Sequence, residues 1–177
     1  MFRYEENTMS HSSPTHRKGP DLKKFLEKFP VIELPFSLTD EDKLEFSQFN
    51  DPLTLDELEA YILPHENEHD EFTEYVACIR YPDTKDFHAL VYWKAGLLKH
   101  EYILATYTLD GRLIDRKPLS GLRSQSDIIV QSVATLETDW MIHIVEGEGS
   151  ADLHSYEALE SRLIQLELLA DGRILVI

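Results

Sequence analysis

From about residue 72 onward, apolar side chains recur at every second position, and only short polar links interrupt them. The segments EYVACIRY, FHALVYW, LKHEYILATYTL, RLIDRKPL, DIIVQSVATLE, WMIHIVE, SRLIQLELL and RILVI each read as a strand. A parallel return needs about a dozen residues or more, so links this short force antiparallel neighbours. Asp110-Gly111 and Asp171-Gly172 read as two-residue hairpin turns, where glycine accepts a positive φ without steric cost. Pro82 to Asp86, Ala95-Gly96 and Thr138-Asp139 read as further turns. Residues 147–160 form the one long connection, with a helical turn expected around Tyr156 to Leu159. The pattern predicts a meander of eight strands over residues 72–177, barrel-like or folded into a sandwich.

Ahead of it the period is helical. In DLKKFLEKF, Leu22, Phe25, Leu26 and Phe29 fall on one face, Asp21 is placed to cap the helix and Pro30 to end it. VIELPFSL alternates as a short strand, which Pro35 places at a sheet edge or outside a sheet. TDEDKLEFSQF suggests a weak helical turn. In NDPLTLDELEAYIL, Thr54 and Glu57 match a capping box, and Pro64 is placed as a stop. Residues 1–20 hold few large apolar side chains and read as a flexible leader. The 177-residue chain is therefore expected to be a leader followed by one α+β domain over residues 21–177: a helical part at 21–63, then the meander.

Charge narrows the function classes. The net charge is −16, which opposes nucleic-acid backbones and anionic membrane surfaces. Residues 40–74 carry 13 acidic side chains and one base, Lys43. No run approaches the roughly 18 apolar residues of a spanning helix. The single cysteine, Cys78, excludes an intrachain disulfide and, lying on an alternating strand, reads as a buried thiol. These features suggest a cytoplasmic protein with no cofactor.

No catalytic triad, nucleophile elbow or phosphate loop is legible. The acidic segment, interleaved with Phe46, Phe49, Leu53 and Tyr61, suggests instead a surface that docks a basic protein. Its candidate contacts are Asp56, Glu57, Glu59, Tyr61, Glu66 and Asp70, and the class is non-enzymatic, as in an immunity protein, an inhibitor or an adaptor. An alternative places a small molecule in a cavity lined by Tyr92, Trp93, Tyr102, Tyr107 and Trp140. A second alternative reads His65-Glu66-Asn67-Glu68-His69 as the H-E-x-x-H string of a zinc hydrolase, with His65 and His69 as ligands. Against it stand Pro64 directly before the string, its polar content, and the absence of a third ligand on a following helix. His88, His100 and His143 lie on candidate strands and would form a cluster only if the sheet brought them together. An unpaired edge such as RILVI leaves either a monomer or a dimer open.

Overall fold

The computed structural model describes residues 19–125, 128–150 and 160–177. The leader expected over residues 1–20 lies outside the described residues save for its last two, and the helical turn expected at Tyr156 to Leu159 lies outside them as well. Among the described residues no helix is long and apolar enough to cross a membrane.

Short helices begin where the sequence places caps. Asp21 accepts the Lys23 N–H at 3.0 Å and opens α1 (Leu22–Glu27), which buries Phe25 and Leu26. The segment 39–49 forms more than a weak turn: α2 (Asp42–Phe49) starts where the Asp42 carboxylate accepts both the N–H and the hydroxyl of Thr39. At the end of α2, Asn50 donates its amide to the carbonyls of Ala77 and Cys78 at 2.7 and 2.8 Å. The Thr54–Glu57 capping box forms and opens α3 (Leu55–Glu57). Pro64 does not stop that helix cleanly. The chain first widens into a π turn over Leu58–Ile62, then tightens into a 3-10 turn over Leu63–His65 that contains Pro64. A proline lacks the N–H an α-helix needs and crowds the carbonyl four residues back, so the ladder shifts before it ends.

All eight alternating segments form strands, and their spatial order follows the sequence: β2 (Glu74–Arg80), β3 (Phe87–Ala95), β4 (Lys99–Thr108), β5 (Leu113–Gln125), β6 (Ile128–Leu136), β7 (Met141–Ser150), β8 (Glu160–Leu168) and β9 (Ile174–Val176). Every pairing between these strands is antiparallel, and no hydrogen-bond ladder among the described residues joins β9 back to β2. A ninth strand, β1 (Phe36–Leu38), pairs with β6 from Phe36 opposite Leu136 to Leu38 opposite Ala134. It finds an edge there because β5 pairs with β6 only between Gly121 and Gln125, leaving the far half of β6 open.

Two turn expectations need correction. The Asp-Gly hairpins close as three-residue loops: Thr108 N–H donates to Arg112 O, Leu169 N–H to Arg173 O, and Gly111 and Gly172 sit at φ of 87° and 86°. A type I turn followed by a left-handed residue suits the strand twist as well as a two-residue loop does. The expected long connection also begins later, because β7 runs through Ser150 with Gly147 and Gly149 paired to Gln131 and Ile129. Glycines lower strand propensity, but their backbones pair normally when a partner strand is present.

Strand alternation gives the sheet two apolar faces. On one side of β2–β4, Leu90, Tyr92, Ile103 and Tyr107 pack against Phe25, Phe29 and Ile62 of the helical layer. On the other, Val91, Trp93, Tyr102 and Leu104 meet Leu136, Ile142, Leu166 and Ile174 from β6 to β9. The sheet curls far enough for its last hairpin to lie over β4 and β5: the buried Thr106 hydroxyl donates to Gly172 O at 2.6 Å, and Asp115 accepts the Ile174 N–H at 2.9 Å. Thr106→Val keeps the side-chain shape but leaves the Gly172 carbonyl without that donor. It is expected to lower unfolding free energy by about 1–3 kcal/mol in chemical denaturation, with the fold retained.

Candidate functional site

The acidic segment divides into side chains that face out and side chains that face in. Asp56, Glu59 and Asp70 are exposed, and Asp70 is occupied locally, accepting the Thr73 hydroxyl at 2.8 Å and the Phe72 N–H at 3.0 Å. Glu57 is turned inward: besides closing the capping box, it takes Lys28 Nζ at 2.6 Å. Burial alone would raise its pKa, but hydrogen bonds from Lys28 and Thr54 outweigh that, and the carboxyl lies below its ordinary value of 4.5. Tyr61 is half-buried, its ring stacked 4.5 Å from Phe25 and its hydroxyl donating to Pro20 O at 2.8 Å.

Glu66 is the deepest of the set, with its side chain 1% exposed. It accepts the Tyr92 hydroxyl at 2.5 Å, Lys94 Nζ at 2.6 Å and Arg116 Nη2 at 2.5 Å. One carboxylate between two cations and a phenol is a cross-tie from the end of the helical layer to β3 and β5. This corrects the expectation for two of the six docking residues: Glu57 and Glu66 are neutralised within the molecule by Lys28, Lys94 and Arg116. A carboxylate this deeply buried needs internal partners, and the nearby strands supply them.

The same arrangement dissolves the metal string. His65 ends the 3-10 turn, Glu66 is extended at φ −97° and ψ 122°, and His69 lies beyond in irregular chain. The two histidines therefore do not share a helix face, and the glutamate that would activate water is already bound. Among the described residues no group of three or more His, Cys, Asp or Glu is placed to hold a metal ion. His88, His100 and His143 do not converge either. His88 and His100 lie at opposite ends of the β3–β4 pair, while His143 on β7 contacts Gln165.

The five aromatic candidates are split between the two cores and do not line one cavity. Tyr92 and Tyr107 are buried beneath the helical layer, and Trp93 and Tyr102 in the concave core 4.7 Å apart. Trp140 packs edge-on against Phe87 at 5.9 Å. Burial holds the Tyr92, Tyr102 and Tyr107 hydroxyls protonated, with pKa values above the usual phenol range. Burial likewise pushes up the Cys78 thiol, which argues against nucleophilic use.

What the sheet does leave open is a cleft of about 310 Å3 at one end of its concave face, formed by β4 to β9. Leu119, Val130, Ile144, Ile164 and Leu166 give it an apolar floor. Gly121 makes room for this end of the fold: it sits at φ 154°, and a Cβ there would lie 2.1 Å from His100 O on β4. The cleft also gathers Lys99, Lys117, Arg123 and Arg162 against two carboxylates, Glu101 and Glu146. Lys99 pairs with Glu101 at 2.9 Å, while Glu146 bridges Arg162 at 2.7 Å and Arg123 at 3.4 Å. Lys117 has no ion pair among the described residues. His100 stands at the mouth with Asp40 Oδ1 3.2 Å from its Nε2, short of hydrogen-bond alignment. Burial moves its pKa below the ordinary 6.5 although Asp40 opposes the shift. Residues 117–123 of β5 all line the cleft, odd and even positions alike, because the β4–β5 register shifts there, and strict alternation in the sequence could not have marked them.

The inward acids have measurable consequences. Glu57→Gln is expected to lower stability near pH 7, and its deficit should shrink as pH falls through the depressed native pKa, where wild-type Glu57 also protonates. Glu66→Ala strands Lys94 and Arg116 and is expected to cost about 3–5 kcal/mol in denaturant unfolding, whereas Glu59→Ala at the exposed face changes stability by less than about 0.5 kcal/mol. No protein-family model, curated protein or solved structure matches the chain.

Proposed function

We propose that this is a small-molecule-binding protein that takes an aliphatic or amphipathic molecule into the concave cleft. The observation that carries the reading is the recess of about 310 Å3 formed by β4 to β9, whose floor is apolar and whose rim carries the charges. Leu119, Val130, Ile144 and Leu166 supply hydrophobic contact, and the polar side chains at the mouth supply orientation. Such a role needs no nucleophile, metal or cofactor.

Binding of 1-octanol, a neutral aliphatic probe, is expected to shift the methyl resonances of Val130, Ile144 and Ile164 in NMR titration. Ile164→Trp, which fills the cleft, should weaken that binding about tenfold or more while the protein stays folded. No shift at these methyls, or binding indifferent to Ile164→Trp, would overturn the reading.

A second reading retains a docking face for a basic protein on the outer helical layer. It is favoured by Leu44, Phe49, Leu55 and Phe72, which are exposed and belong to the same acidic stretch of sequence as the exposed Asp56, Glu59 and Asp70. Reversing Asp56 and Glu59 to lysine together should abolish salt-sensitive capture of a basic protein from the native cell. Capture unaffected by the double reversal would count against it.

A further inference from the structure

We infer that the molecule held in the cleft carries an anionic head group on its aliphatic body, with Lys117, Arg123 and Arg162 receiving the anion; this rests on the small-molecule reading above. The chain as a whole has a net charge of −16, so four cations among the residues lining one recess run against its composition. Two acids lie with them, and each is already engaged, Glu101 with Lys99 and Glu146 with both arginines. The lining of the recess therefore keeps an excess of positive charge.

The donor inventory points the same way. Glu146, with its side chain 9% exposed, meets one Nη2 from each arginine. A guanidinium has five N–H donors, so both arginines keep donors for a second acceptor. Lys117, with three donors and no acceptor of its own, stands on β5 two residues before Leu119 on the floor. A head group with acceptor oxygens would sit against these donors while its chain lies on Leu119, Ile144 and Ile164. Alkyl carboxylates and alkyl phosphates share this chemistry. An alkyl ammonium would meet like charge, and a simple alcohol would leave most of the donors unused.

The position of Glu146 sharpens the inference. From β7 it meets Arg162 on the adjacent β8 and Arg123 on β5, two strands away, and so holds two like charges close together across the recess. It also occupies part of their capacity for anions, so a ligand oxygen competes with it for the same donors. Removing its charge should therefore favour an anionic ligand and leave a neutral one nearly unaffected.

Isothermal titration at low salt with octanoate, octyl phosphate, 1-octanol and octylammonium tests this, with the NMR methyl shifts locating the site. Octanoate or octyl phosphate is expected to bind at least about tenfold tighter than 1-octanol, an advantage that narrows as salt is added, and octylammonium weakest of all. The preferred anion identifies the head group. Lys117→Met, which keeps the apolar stem on a partly exposed position, should remove much of the anion's advantage; Glu146→Gln should strengthen anion binding severalfold, with thermal melts confirming that each variant is folded. If 1-octanol binds at the cleft as tightly as both anions, or octylammonium binds best, the anionic inference falls while the small-molecule reading stands. If none of the four probes reaches the cleft, both fall together.

Discussion

The fold turns on β5. Along its first half it pairs with β4 alone, and only from Gly121 does it also accept β6, so this one strand carries the sheet around its bend. Where β4 crosses it the approach is so close that a single methyl group would strike a backbone oxygen, which leaves glycine as the residue that fits. Two register irregularities in the same pairing add the local twist that a bend requires. From this follow the free half-edge on β6 that captures β1, the contact between the last hairpin and β4, and the recess at the open end.

Charge is arranged in layers around that frame. The later part of the most acidic stretch, from Leu53 on, joins α1 in the helical cover, and it is fastened through its own carboxylates. Glu57 reaches Lys28, and Glu66 reaches Lys94 and Arg116. Cations that would otherwise be scattered are drawn beneath an acidic shell, and others are collected in the cleft. Net charge therefore describes the exterior of this protein and misdescribes its interior. Because a buried ion pair contributes little net stability while its disruption is costly, the Glu66 tie fixes how the cover sits more than how firmly the whole is folded.

Much of the architecture was legible in the residues. Period two located all eight meander strands, and Asp21 and the Thr54–Glu57 pair located two helix starts, because these signals are local. What escaped was whatever depends on pairing between distant segments. The partner of VIELPFSL lies about a hundred residues away, and nothing in the string names β6. The site was less legible still. Tyr92 and Trp93 are adjacent on β3 and face opposite sides of the sheet, and since both sides are packed core, aromatic density marks packing and not a cavity. The recess is instead aliphatic, and its cations are spread over β4, β5 and β8, so they become neighbours only through register. Glu66 stands both in the H-E-x-x-H string and among the candidate surface contacts, since burial of a carboxylate leaves no mark in sequence when its partners lie 26 to 50 positions on.

The turn between β6 and β7 places Trp140 at φ 68°, a backbone conformation that its side chain does not favour, with its ring against Phe87. The only other tryptophan, Trp93, lies near the far end of β3, beside His100 at the mouth of the recess and beneath Lys43. The molecule thus carries one indole at each end of the same strand, in unlike surroundings. Its ultraviolet emission is the sum of two separable lamps, one reporting the hairpin and the other the mouth, so replacing either ring turns the protein into an unlabelled optical gauge of a single end.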